Sequence, residues 1–120
     1  MINTFDKLQV LQQAHQFVLK IYTLTESFPQ IEKFRLTSQI CRSSSSVPAN
    51  IVEGNSRHSK KEFIQFLYQA KGSLAETQYH LMLAKDLKII NLPDYLLLVT
   101  QSDEIGKMIS GLIKYLKNKI

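Results

Sequence analysis

Catalytic or metal-binding chemistry in this chain would have to use one cysteine, three histidines and ten carboxylates. A di-metal carboxylate site in a helical bundle needs inward glutamates and a Glu-x-x-His pair on each of two helices. Glu76 and His80 are four residues apart, and neither His15 nor His58 has a carboxylate three residues before it. The sequence therefore predicts no metal site and favours a surface or interfacial pairing of Glu76 with His80.

Nucleophilic and phosphate-loop chemistry have little more support. Cys41 directly precedes Arg42, a cation of the kind that activates a thiolate, but no histidine lies beside it, which favours a buried thiol. Gly54 is followed by Asn-Ser-Arg instead of the Gly-Lys-Ser of a phosphate-binding loop. We therefore predict a protein that is not an enzyme, with no cofactor and no small-molecule substrate.

A polar group in the middle of the chain is more informative. Glu53 and Arg57 are four residues apart, and Arg42 lies eleven residues before Glu53, which is close to three turns of a continuous helix. Asn50 lies on a neighbouring part of the same surface. Two interpretations stay open: a network of salt bridges, either solvated or between helices, and a contact with another subunit or with nucleic acid. We refer to Arg42, Asn50, Glu53 and Arg57 as the polar signature.

Basic side chains form two clusters that predict contacts with phosphate groups. They contain Arg57, Lys60 and Lys61, and Lys114, Lys117 and Lys119. The net charge of +5 and the pI of about 9.4 are compatible with a polyanionic partner. Ordinary exposed helix ends have the same composition, and no interleaving of aromatic residues with lysines indicates a base-stacking platform.

The stretch RSSSSVPANIVEG, residues 42–54, decides whether the polar signature lies on a helix or a loop. Proline in a helix interior removes one hydrogen bond and crowds the carbonyl four residues earlier, here that of Ser44, at a cost of about 3 kcal/mol or more. Serine hydroxyls can bond to backbone carbonyls and ease such a bend. We predict a bent but continuous helix around Pro48, with small side chains for close packing and an end in the left-handed conformation at Gly54-Asn55.

Helical periodicity and local stop signals define the elements that carry these residues. The first helix is predicted from Asp6 to Ser27 with Thr4 as its N-cap, and the second from Glu32 to Gly54. A capping box of Ser59 and Glu62 starts the third, and Pro93-Asp94 opens the fourth. The apolar faces are predicted to include Tyr22, Phe34, Leu87 and Leu96.

Four helices with short connections predict an all-α, antiparallel up-down-up-down four-helix bundle. The 120 residues fit one domain spanning positions 1–120. No apolar run approaches the roughly 20 residues that cross a bilayer, and the first residues lack the pattern of a signal peptide. We therefore predict a cytoplasmic protein without a membrane partner.

Several motifs together resemble a known family. They are F-x-K-L-x-V at Phe5 to Val10, Phe28-Pro29, RLTSQICRSSSSVPANIVEG at Arg35 to Gly54, R-x-S-x-K-E-F-x-x-F-L at Arg57 to Leu67, and A-x-G-S-L-x-E at Ala70 to Glu76. In this order they resemble the four-helix bundle proteins encoded by intervening sequences in bacterial 23S ribosomal RNA genes. A more distant likeness is to the accessory protein of diversity-generating retroelements.

The resemblance implies a bundle that assembles as a ring-shaped homopentamer and associates with RNA, and it brings no catalytic residues. The residues it transfers are Arg42, Pro48, Asn50, Glu53, Gly54 and Arg57. The predicted function is a non-enzymatic, self-associating scaffold or adaptor with RNA as its candidate partner. The alternative is a structural oligomer that binds another protein without contacting nucleic acid.

Overall fold

The computed structural model describes residues 8–120, in which four long helices and one short turn of 3₁₀ helix occur and no strand does. The helices are α1 (Gln9–Thr25), α2 (Leu36–Asn55), α3 (Lys60–Asp86) and α4 (Leu92–Lys117), with the 3₁₀ turn at Gln30–Glu32. The predicted N-cap Thr4 and helix start at Asp6 lie outside the described residues. Within them, no helix is long and apolar enough to cross a membrane.

Contacts between neighbouring helices show that the bundle is antiparallel. Tyr68 of α3 contacts Lys117 of α4, while Gln78 of α3 contacts Ser102 of α4, so the two helices run in opposite directions. The same reversal relates α1 to α2, α2 to α3, and α1 to α4, which pack against each other in turn. The predicted all-α, up-down-up-down four-helix bundle is confirmed.

The starts of α3 and α4 follow from their capping residues. The Ser59 hydroxyl accepts a hydrogen bond from the Glu62 amide at 3.1 Å, and the Asn91 side chain accepts one from the Asp94 amide at 2.8 Å. Each bond satisfies one of the amides that the first helical turn leaves without a partner. Both helix starts were therefore correctly predicted from local sequence.

The start of α2 differs from the prediction. Residues 30–35 form the 3₁₀ turn and a further hydrogen-bonded turn. Glu32 folds inward, and its carboxylate accepts a hydrogen bond from the Leu36 amide at 3.3 Å. Phe34 is consequently 85% exposed and does not belong to the apolar face. The helix begins only at Leu36, after this turn.

The core lies along the axis of the bundle, and three further residues that were predicted to lie in it do not. Tyr22, Leu87 and Leu96 are exposed. Phe17 and Leu98 are buried, and they fall in register with Ile21 and Ile105 on the inward faces of α1 and α4. Leu96 lies half a turn away from that register, and Leu87 lies just beyond the end of α3.

Candidate nucleic-acid interface

Helix α2 is continuous through Pro48, so Arg42, Asn50 and Glu53 of the polar signature lie on a helix, whereas Arg57 lies in the connection between α2 and α3. The hydroxyls of Ser45 and Ser46 both donate to the Arg42 carbonyl, at 3.2 and 3.0 Å, and buried Ser44 donates to the Cys41 carbonyl at 3.2 Å. The serine hydroxyls thus bond to backbone carbonyls three or four residues earlier, as predicted for serines near a helix proline. The predicted continuity of the helix through Pro48 is confirmed, and its bend stays a prediction.

Gly54 is required for the close approach of α2 and α3. A Cβ atom at this position would lie 2.7 Å from Phe66 Cβ and 2.9 Å from Phe63 Cδ1. The backbone of Gly54 is helical and does not adopt positive φ, and the helix ends at Asn55 with Ser56 in the right-handed region. The predicted left-handed helix end is therefore wrong, because the glycine is needed for space and not for its backbone conformation.

The polar signature does not form one network. Arg57 donates to Glu53 at 2.7 Å, and its guanidinium lies 4.8 Å from the centre of the Phe66 ring. Asn50 donates to the Ser46 carbonyl at 2.8 Å, within its own helix. In residues 8–120 no hydrogen bond or ion pair links the exposed side chain of Arg42 to the other three. The signature is thus one ion pair anchored on α3 and two separate side chains.

The two basic clusters meet at one end of the bundle. The connection between α2 and α3, the first residues of α3 and the residues after α4 border a cleft of about 500 Å³. Its lining residues are Arg57, His58, Ser59, Lys60, Lys61, Lys119 and Ile120. A second depression, of about 320 Å³, lies beside it between α3 and α4 and includes Lys114 and Lys117. We call Arg57, Lys60, Lys61, Lys114, Lys117 and Lys119 the basic end.

Aromatic rings lie among these cations, contrary to the prediction. Lys117 Nζ donates to the Tyr68 hydroxyl at 2.9 Å, and Lys119 Nζ lies 5.4 Å from the centre of the Tyr115 ring. Tyr68 and Lys71 line the depression of this candidate interface, and sequence reasoning missed both. Tyr68 and Lys117 are 49 positions apart and on different helices, so their spacing in the chain gives no signal.

His80, for which the sequence predicted a surface or interfacial pairing with Glu76, lies in the interior between α2 and α3. Its Nδ1 is 3.2 Å from the Ser43 hydroxyl, to which Thr77 donates a hydrogen bond at 2.8 Å. Burial lowers the pKa of His80 below its usual 6.5, and the negative charge of Glu76 opposes this only in part. A neutral imidazole in this polar cluster joins the two helices.

The other candidate ligands are scattered. Cys41 is half-buried, with its sulfur 3.6 Å from the Thr25 hydroxyl oxygen. No group of three or more His, Cys, Asp or Glu side chains with metal-site geometry occurs in the part of the chain that the structure describes.

An apolar groove between α1 and α2 runs beside the polar signature. It has a volume of about 660 Å³, and its lining is mostly apolar. The lining residues are Leu11, Gln12, His15, Ser45, Pro48, Ala49, Val52 and Glu53. We call this surface the α1–α2 groove. The serine, alanine and proline side chains on its α2 side are small, so a partner would approach the helix closely.

Comparison with known proteins places the chain in a family. The model of the 23S rRNA-intervening sequence protein family matches residues 6–111. A crystal structure from Bacteroides thetaiotaomicron, of a protein with unknown function from the S23 ribosomal protein family, superposes with a TM-score of 0.79 at 30% identity. The match covers 88% of this chain and 98% of that one. No curated protein matches the sequence. The chain therefore belongs to the 23S rRNA-intervening sequence protein family.

Proposed function

We propose that this protein is a non-enzymatic, self-associating bundle that acts in the cytoplasm as a scaffold or adaptor and binds RNA through the basic end. The observation that supports it most is that members of both basic clusters border one cleft. Arg57 in the α2–α3 connection, Lys60 and Lys61 at the start of α3, and Lys119 just after α4 border the same 500 Å³ space.

The electrostatics of the basic end favour a polyanion. Among the described residues, no aspartate or glutamate lines the cleft or the neighbouring depression. Arg57 forms an ion pair with Glu53, while Lys60 and Lys61 stay exposed. Exposed lysines that neutralise phosphates release condensed counterions, which makes the affinity depend on salt.

Self-association is supported by the α1–α2 groove. Val52 is 42% exposed there beside Pro48 and Ala49, which together present an apolar surface without bulky side chains. Burying such a surface against a second copy would remove apolar area from water. The resemblance to the intervening-sequence proteins implies a pentamer, and we propose the same assembly here.

Native mass spectrometry at micromolar concentration tests the assembly. We expect an oligomer, and we expect Val52→Glu to dissociate it without loss of helix content, because a charge would then have to be desolvated in the contact. Met82→Glu is the matched control, since Met82 is 41% exposed on α3, outside the groove. A monomeric wild-type protein would refute self-association.

Salt-titrated binding to a structured RNA hairpin, followed by fluorescence anisotropy, tests the RNA contact. The affinity for RNA should fall steeply as the salt concentration rises. The double variant Lys60→Glu with Lys61→Glu should bind more weakly, and its slope of log affinity against log salt concentration should be shallower by about 0.7–0.9 per lost phosphate contact. Lys33→Glu with Lys88→Glu changes the net charge equally at the opposite end of the bundle and should have a smaller effect.

The alternative function is a structural oligomer that binds another protein without nucleic acid, and the apolar character of the α1–α2 groove favours it. Absence of RNA binding even at low salt would support this alternative and refute the RNA proposal. Equal losses in the two charge-reversal variants would also count against the basic end as the RNA contact.

A further inference from the structure

We propose that the depression between α3 and α4 is a binding groove for single-stranded RNA, in which Tyr68 stacks on an unpaired base. Its lining residues are Tyr68, Lys71, Ser110, Ile113, Lys114, Lys117 and Asn118. This inference rests on the proposed RNA binding and adds to it the form of RNA and the residue that holds the base.

The ring of Tyr68 is both available and fixed in place. Tyr68 is 45% exposed, and its hydroxyl accepts a hydrogen bond from Lys117 Nζ at 2.9 Å. The same Nζ lies 5.4 Å from the ring centre. An atom so much closer to the hydroxyl oxygen than to the ring centre lies beyond the hydroxyl end of the ring. Lys117 therefore orients the ring without covering its face.

The groove supplies the cations that accompany stacking in single-strand sites. Lys71 on α3 and Lys114 and Lys117 on α4 all line it, and among the described residues no carboxylate does. Ser110 and Asn118 add groups that can donate hydrogen bonds to phosphate or base. A basic groove with an aromatic platform is the arrangement that binds single strands with little sequence preference.

The groove lies two helical turns along α3 from the cleft of the basic end. Lys61 borders that cleft and precedes Tyr68 by seven residues on α3, which is two turns or about 10 Å along one face of the helix. A strand with one base on Tyr68 can therefore place its neighbouring phosphates on the basic end.

Unpaired RNA fits this groove better than duplex RNA or protein. A tyrosine ring stacks on a base only when that base is free of its helix, whereas duplex RNA presents its backbone and shallow minor groove. An acidic peptide would match the charge but has no planar base for the exposed ring.

Anisotropy titrations of labelled oligouridine and of a blunt RNA duplex of the same length test the inference. Tyr68→Leu should weaken oligouridine binding about fivefold or more, in line with the stacking contribution of one base, and leave duplex binding unchanged. Tyr68→Phe should retain most of the affinity, because the ring and not the hydroxyl stacks. Tyr22→Leu is the control, since Tyr22 is 49% exposed on α1.

A single 2-aminopurine within the oligouridine gives a readout on the wild-type protein alone. Its fluorescence should be quenched on binding when the base stacks on the ring, and unchanged emission would refute the inference. Unchanged oligouridine affinity in Tyr68→Leu, or tighter binding of the duplex, would also refute it but leave the proposed RNA function standing. Binding of polyglutamate with equal affinity would indicate a protein partner instead, and absence of any RNA binding would refute both proposals.

Discussion

At the scale of single residues, Gly54 was singled out correctly from the sequence, but the physical role predicted for it was wrong. The glycine is visible in the sequence, and its place near a helix end suggested a backbone role. The structure shows instead that a Cβ would meet Phe66 and Phe63 of the next helix. That contact depends on how closely α2 and α3 approach, which no local pattern contains.

Substituting this glycine should therefore cost stability. We expect Gly54→Ala to lower the free energy of unfolding by about 1–3 kcal/mol, because the added methyl overpacks the contact with α3. Gly72→Ala is the matched control, since nothing lies within 4 Å of its Cβ position, and we expect a gain of about 0.5–1 kcal/mol from helix propensity. Urea unfolding followed by circular dichroism measures both. Equal effects of the two substitutions would contradict the close-approach interpretation.

His80 should make the stability of the bundle depend on pH. Because burial holds its pKa below the usual 6.5, the unfolded chain binds a proton more readily than the folded one. The stability that neutral His80 provides is therefore present above pH 6.5 and is lost as the pH falls through the lower, folded pKa. We expect the wild-type unfolding midpoint to fall with acidification more than that of His80→Gln. Parallel pH profiles of the two proteins would show that His80 is not responsible.

At the scale of elements, the local sequence correctly predicted those helix features that depend only on residues close together in the chain. The Ser59 cap of α3 and the proline near the start of α4 need no tertiary information. The start of α2 could not be predicted, because it depends on Glu32 turning inward to accept from the Leu36 amide. The continuity of α2 through Pro48 was predictable, since neighbouring serines supply backbone contacts within the same helix.

The cap of α3 gives a prediction at this scale. We expect Ser59→Ala to destabilise the bundle by about 1 kcal/mol, because the Glu62 amide loses its acceptor, and Ser59→Asp to keep the stability because its carboxylate can replace the hydroxyl. Thermal unfolding of both variants measures this. A loss of the same size in Ser59→Asp would mean that the serine contributes something other than a cap.

At the scale of the whole molecule, the bundle order brings together residues that are far apart in the chain. The antiparallel fold places the start of α3 beside the end of α4, so two basic clusters border one end of the bundle. The clusters themselves were evident in the sequence. The insertion of Tyr68 among them was not, because it requires the register of α3 against α4.

Lysine footprinting tests the central claim, that the basic end contacts RNA, most directly. The protein is labelled with an amine-reactive reagent with and without bound RNA, and the modified lysines are quantified by mass spectrometry. The account predicts that Lys60, Lys61, Lys114, Lys117 and Lys119 lose reactivity together when RNA binds, while Lys33 and Lys88 at the opposite end keep theirs. Protection centred on Lys33 and Lys88, or equal reactivity of all seven lysines with and without bound RNA, would contradict it.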